Sequence, residues 1–224
     1  MSIRENLERV RERIAKAAER AGRSPSEVKL MGATKSVPPE KIREAAEAGL
    51  RLFGENRVQE GINKMEELED LELEFHFIGV LQSNKVRKAV EHFSAIHSVS
   101  SLKLAKKIDR VAGEKGIVYP VFFEINLSGE ESKSGFLPEE FFSALDELSS
   151  LSHIKPIGLM TIPPLGKDPR PYFVKLRETL ERIKDRFGPD FKELSMGMSD
   201  DFEIAVEEGA TIVRVGRAIF GERK

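Results

Sequence analysis

Apolar residues at Ile3, Leu7, Val10, Ile14, Ala17 and Ala21 recur at alternating steps of four and three. That spacing puts them on one face of an α-helix. Ser2 and Glu5 supply a capping-box pattern at its start, and Gly22 stops it. A stripe of this kind must be covered, so the helix is expected to lie on the body of the protein. Beyond it the pattern changes. Short apolar runs of strand length alternate with amphipathic stretches of helical period. Strands are predicted at 28–35, 52–53, 75–79, 95–99, 118–125, 154–162, 192–195 and 211–215. Helices are predicted from Pro39, and over 58–68, 83–92, 102–115, 138–151, 171–187 and 200–208.

Regular β-then-α alternation with short connections calls for a parallel sheet whose faces are covered by helices. Eight strands favour closure into a single (β/α)8 barrel of the TIM type over residues 1–224, with the first helix as an addition. The alternative is an open Rossmann-like sheet, but no Gly-x-Gly-x-x-Gly follows the first strand. No linker, low-complexity segment or short repeat divides the chain.

Composition narrows the function classes. The 224 residues are 40% hydrophobic and 33% charged, with a formal net charge of −2. That balance gives no electrostatic reason to expect nucleic acid or a membrane as partner. Without cysteine, disulfides, thiolate metal sites and thiol nucleophiles are all excluded. The charged N-terminus is unlike a signal peptide and no run is long enough to span a bilayer, so the expected location is cytoplasmic. His76, His92, His97 and His153 show no metal-ligand spacing, and no metal is expected. They read as structural residues; His76, in a strand near the barrel mouth, is the one that could touch a site. Asn and Gln together number seven beside abundant Glu, Lys and Arg, a profile that leans towards a thermophile.

In such barrels the reactive groups lie at the carboxyl ends of the strands. Lys35 closes the mostly apolar run 28–34. Desolvation of a lysine favours the neutral amine, which can attack an aldehyde to form a Schiff base. Position alone favours the plainer reading, a lysine that snorkels at a strand end. Gly197-Met198-Ser199 before a helix, with Gly216-Arg217 after strand eight, would suit a phosphate. Ser199 fits equally well as a simple helix N-cap, with Asp200 and Asp201 complementing the helix dipole.

The segment Phe75-His76-Phe77-Ile78-Gly79-Val80-Leu81-Gln82-Ser83-Asn84-Lys85 resembles the signature of the pyridoxal phosphate homeostasis protein family nearly residue for residue. Ala33-Thr34-Lys35, Phe53 through Glu60, Gly158 through Ile162, Leu194 through Asp201 and Val213 through Gly221 support the likeness, which covers essentially the whole chain. The resemblance implies the barrel of the alanine racemase N-terminal domain, with pyridoxal 5′-phosphate as a Schiff base on Lys35. It places Ser199, Gly216 and Arg217 around the phosphate, Arg214 against the pyridine nitrogen, and Asn56, Met160 and Met198 in the pocket.

Two function classes then compete. One is a non-catalytic carrier that holds pyridoxal phosphate and implies apo pyridoxal phosphate enzymes as candidate recipients. The other is an amino acid racemase. Racemisation needs acid–base groups on both faces of the α-carbon, and Lys35 supplies one. In alanine racemase the other is a tyrosine from a C-terminal β-domain of the partner subunit, a domain expected to be absent here; Tyr119 and Tyr172 are not placed for it. The carrier is the expectation, as a monomer or weak dimer. An aldolase-like lysine enzyme would leave the phosphate loops unexplained.

Overall fold

Eight parallel strands close on themselves in sequence order in the computed structural model, which describes residues 2–222. They are β1 (Lys29–Ala33), β2 (Leu52–Glu55), β3 (Glu74–Phe77), β4 (Ala95–Val99), β5 (Tyr119–Glu124), β6 (Ile154–Met160), β7 (Glu193–Ser195) and β8 (Ile212–Val215). Parallel pairing of β1 with β8, Met31 opposite Arg214, seals the (β/α)8 barrel. The helices are α1 (Ile3–Arg20), α2 (Pro39–Glu47), α3 (Val58–Glu67), α4 (Val86–His92), α5 (Leu102–Glu114), α6 (Pro138–Ser150), α7 (Arg170–Phe187), α8 (Phe202–Glu207) and α9 (Arg217–Phe220).

Strand periodicity divides the core in two. Alternate residues point outwards to the helices: Phe75 and Phe77 on β3, Val121 and Phe123 on β5, Val213 and Val215 on β8. Their neighbours fill the barrel, where Met31, Ile78, Phe122, Met160 and Ile212 form a separate apolar cluster. His76, His97, Glu124, Ser195 and Arg214 are also buried. α1 forms as its pattern predicts. Ser2 Oγ accepts from Glu5 N at 3.2 Å, and Glu5 Oε2 accepts from Ser2 N at 2.8 Å. Its stripe packs on α2, α8 and α9, but Ala21 falls on the exposed C-cap.

The differences from the predicted elements lie at strand ends and short turns. β1 stops at Ala33 rather than at residue 35. Thr34 still donates its N–H to Gly54 O, but Val37 N turns back to Thr34 O and Ser36 takes φ +59°. Lys35 therefore stands on a tight turn beyond the strand. The helix predicted from residue 83 begins as a 3₁₀ turn, Ser83–Lys85, before α4. A second 3₁₀ turn, Pro25–Glu27, and α9 lack the length to show a helical period and were not predicted.

An ion-pair network ties the outer helices together. Glu207 accepts from Arg20 at 2.7 Å and from Arg170 at 2.6 Å. Glu208 accepts from Arg177 at 2.8 Å and also pairs with Arg170. Networks gain in value with temperature because the hydration they displace weakens. No helix among the described residues is long and apolar enough to cross a membrane. Calorimetry of the purified protein should give a melting temperature above the roughly 45–65 °C range of mesophilic domains. A midpoint inside that range would show that neither the network nor the composition marks a thermophile.

Candidate functional site

Arg214, on β8, carries its guanidinium into the barrel and is 4% exposed. Nη1 donates to Ser195 Oγ at 2.7 Å and Nη2 to Thr161 O at 3.2 Å. Burial draws its pKa down to about 10, against the opposing pull of Glu124 and Asp201. It therefore stays charged at neutral pH. Both carboxyls are pushed upwards, chiefly by their own burial. Glu124 ends β5 with Oε2 buried and unpartnered.

Ser195 Oγ is also 2.7 Å from His97 Nδ1. His97 Nε2 is 2.8 Å from His76 Nδ1, and His76 Nε2 is 2.7 Å from Glu74 Oε1. His97 is fully buried with its ring stacked on Phe122, 3.9 Å between centroids. Burial holds its pKa well below the ordinary histidine value, with the charges of His76 and Arg214 adding to the effect. His76 thus lies within the barrel and bonds back to the start of its own strand, rather than standing at the mouth.

The turn bearing Lys35 is clamped from beneath. Buried Lys64, on α3, donates to Thr34 O at 2.6 Å, Glu55 Oε1 at 2.8 Å and Glu60 Oε1 at 2.7 Å. Thr34 Oγ1 donates to Glu55 Oε1 at 2.5 Å, and Ser36 N donates to Glu60 Oε1 at 2.6 Å. One ammonium thereby binds both carboxylates that grip Thr34 and Ser36. Lys35 between them is half-buried, and its backbone has little freedom.

A cavity of about 300 Å³ opens at the mouth between β1, β7 and β8. Ala33, Met198, Ser199, Asp200, Arg214, Gly216, Arg217 and Glu222 line it. Five of the residues predicted from sequence meet there: Met198, Ser199, Arg214, Gly216 and Arg217. Lys35 lies two residues past Ala33 without lining the cavity. Met160, 1% exposed, ends β6 opposite Ser195 in register. Asn56 follows β2, where its backbone runs so close to Gly79 that a Cβ there would lie 2.2 Å from Asn56 O. Only glycine lets the loop after β3 pass this point. Ser199 is not the N-cap of α8, which is Asp201. Its hydroxyl instead accepts from Ala218 N at 3.2 Å, which joins the loop after β7 to α9, the short helix after β8. Arg217 pairs with Asp200 and Glu222 at the rim. A larger cavity, about 680 Å³, shares no lining residue with this site.

The family model for the alanine racemase N-terminal domain matches residues 5–224. The chain belongs to the alanine racemase N-terminal domain family. Within that family it is similar to the pyridoxal phosphate homeostasis protein of Aquifex aeolicus, at 50% identity over 100% of both chains. It is also similar to PipY of Synechococcus elongatus, a structure solved with PLP bound. That match has 43% identity, a TM-score of 0.84 and covers 95% of this chain and 100% of PipY. Alanine racemase from Clostridium difficile shares the fold, with a TM-score of 0.73 at 20% identity over 99% of this chain and 57% of that one.

For this member of the alanine racemase N-terminal domain family, sequence reasoning named His97 only as a structural residue and did not single out Glu124. The signal for His97 was a polar ring inside the apolar strand 95–99, where a period of two already sends it into the barrel. Glu124 carried the same signal as a lone acid closing an apolar run. Lys64 was hidden because a lysine on an amphipathic helix ordinarily faces water.

Lys64→Met leaves Glu55 buried without its cation, a loss of about 3–5 kcal/mol by analogy with other broken buried pairs. Burial already raises the Glu55 pKa, and losing Lys64 removes the main opposing influence. An acid with a raised folded pKa loses stability as pH rises from its unfolded value towards the folded one. Denaturant titrations should therefore show a deficit that is smallest near pH 4–5, about the ordinary glutamate pKa, and grows towards neutrality. A deficit independent of pH would remove Glu55 from this explanation.

Proposed function

We propose that this chain binds pyridoxal 5′-phosphate covalently through Lys35, holds it for apo enzymes that use the cofactor in the cytoplasm, and does not turn over a substrate of its own. The observation that carries the reading is the buried Arg214 beside the Ser199–Gly216 loops, in a chain 43% identical over its length to PipY, which was solved with PLP bound.

The residues fit such a guest. The cavity reaches the lower end of the roughly 300–1,000 Å³ typical of ligand sites. Glu124, whose charge acts on Arg214, keeps Oε2 buried without a hydrogen-bond partner at the carboxyl end of β5, the end of the barrel at which the cavity opens. When bound, pyridoxal phosphate supplies an aldehyde for a primary amine and a ring that withdraws electrons. Lys35 offers that amine from a turn pinned by Glu55, Glu60 and Lys64. The Ser199 hydroxyl, with the Gly216 and Arg217 backbone, would hold the phosphate. Arg214 can only donate, so it keeps a facing ring nitrogen as an acceptor. Asn56, Met160 and Met198 would form the walls.

The placement of the two tyrosines supports holding rather than turnover. Moving a proton from one face of a carbon to the other requires a group on each face. Tyr119 lies at the opposite, N-terminal end of β5 and donates its hydroxyl to Phe93 O at 2.7 Å. Tyr172 is on the outer helix α7. The similar protein of Aquifex aeolicus is named for homeostasis and not as an enzyme, which supports the same reading.

Titration with pyridoxal phosphate should give a saturable absorbance change that Lys35→Ala abolishes. Pyridoxal without its phosphate should bind far more weakly, because charge-assisted hydrogen bonds are lost. In deuterated water the loaded protein should exchange the α-proton of L-alanine no faster than free pyridoxal phosphate. Exchange with racemisation at roughly 1–10³ per second, lost in Lys35→Ala, would make the chain an enzyme. Equal affinity for the two vitamers would dismiss the phosphate site.

A further inference from the structure

One feature of the barrel interior goes beyond cofactor attachment. Arg214, Ser195, His97, His76 and Glu74 form an unbroken line of hydrogen bonds, 2.7, 2.7, 2.8 and 2.7 Å long. It starts at the guanidinium by the mouth and ends at a carboxylate at the beginning of β3, on the opposite rim, with a side chain 57% exposed. The members come from β8, β7, β4 and β3, so the line crosses the barrel through its centre.

The two ends determine the direction of every bond. A guanidinium only donates, and an ionised carboxylate only accepts. The bond from His76 also lowers the pKa of Glu74, which favours its ionised form. With both imidazoles neutral, one arrangement uses each hydrogen once. Arg214 donates to Ser195 Oγ, and the Ser195 hydroxyl donates to His97 Nδ1. His97 Nε2–H donates to His76 Nδ1, and His76 Nε2–H donates to Glu74. Both rings then carry their proton on Nε2. Phe122 stacks on His97 from β5 and brings no competing donor. The other charges facing the line are Lys29 beside Glu74, and Glu124 and Asp201 beside Arg214.

We propose that this line is a tautomeric relay: the acceptor at Glu74 sets the tautomers of His76 and His97, and through the Ser195 hydroxyl it sets the hydrogen bonding of Arg214. Ser195, His97, His76 and Glu74 are positioning residues for Arg214. The proposal rests on the preceding reading only where it assigns Arg214 to the cofactor; the relay itself belongs to the empty protein. A hydroxyl committed to His97 can present only a lone pair to the guanidinium. Reversing the line makes His97 a second donor to Ser195 Oγ, which weakens that oxygen as a partner for Arg214 and changes the field at the mouth.

The test uses the cofactor-free full chain with ¹⁵N-labelled histidine and arginine. Imidazole nitrogen resonances at neutral pH should show both His76 and His97 protonated on Nε2 and bare on Nδ1. Glu74→Gln retains a carbonyl acceptor and should keep that pattern. Glu74→Lys replaces the acceptor with a donor at a half-exposed rim position, and a circular dichroism spectrum like the parent's shows that the variant is folded. The protonated and bare nitrogens of His97 should then exchange identities, and the Arg214 Nη resonances should shift. A His97 protonated on Nδ1 in the parent protein, or unchanged in Glu74→Lys, would overturn the relay. Added pyridoxal phosphate should absorb at different wavelengths in the parent and in Glu74→Lys. Failure of the cofactor to bind at all would defeat the proposed function and leave the relay intact, so the two ideas fail separately.

Discussion

The rest of the structure is arranged around a charged guanidinium buried in a barrel whose apolar filling is Met31, Ile78, Phe122, Met160 and Ile212. An unpaired buried charge would cost many kcal/mol, so the neighbours of Arg214 must answer it with oxygen atoms. The carbonyl of Thr161 and the hydroxyl of Ser195 do so directly, and Glu124 and Asp201 do so through their charge. They come from three consecutive βα units: Glu124 from β5, Thr161 from just after β6, and Ser195 and Asp201 from β7 and the loop behind it. The burial of Arg214 is therefore tolerable only when β5 to β8 are closed in register, and the barrel and the site stabilise each other.

A second electrostatic knot serves the turn after β1. Lys64 lies under the backbone and binds Glu55 and Glu60, which in turn hold Thr34 and Ser36. Ser36 takes a left-handed conformation that a non-glycine residue adopts only when its surroundings require it. This arrangement gives Lys35 a defined position on a connection that would otherwise be mobile. The two knots meet at the mouth, where Ala33 and Arg214 line the same cavity.

Much of this was legible in the sequence because it rests on periodicity. The α1 stripe, the eight strand runs and the loops at their carboxyl ends are local patterns, and the barrel follows from their order. Ser199 and Gly216 were legible for the same reason, since each stands just after a strand, whereas Arg214 entered only through the family resemblance. Other features depend on contacts distant in sequence. His97 and Ser195 are 98 residues apart, and no local pattern announces their hydrogen bond. The end of β1 was misjudged because Thr34 continues the ladder to Gly54 while the chain is already turning. Ser199 looked like a cap because Asp200 and Asp201 follow it, yet its partner is Ala218, in α9 of the next βα unit.

Attachment of the cofactor through Lys35 can be trapped chemically, without presuming any activity. Freshly prepared protein saturated with pyridoxal phosphate would be reduced with borohydride, digested and mapped by mass spectrometry. The account predicts a pyridoxyl group on Lys35, in the peptide that begins after Lys29. A pyridoxyl group on another lysine, with Lys35 unmodified, would contradict it.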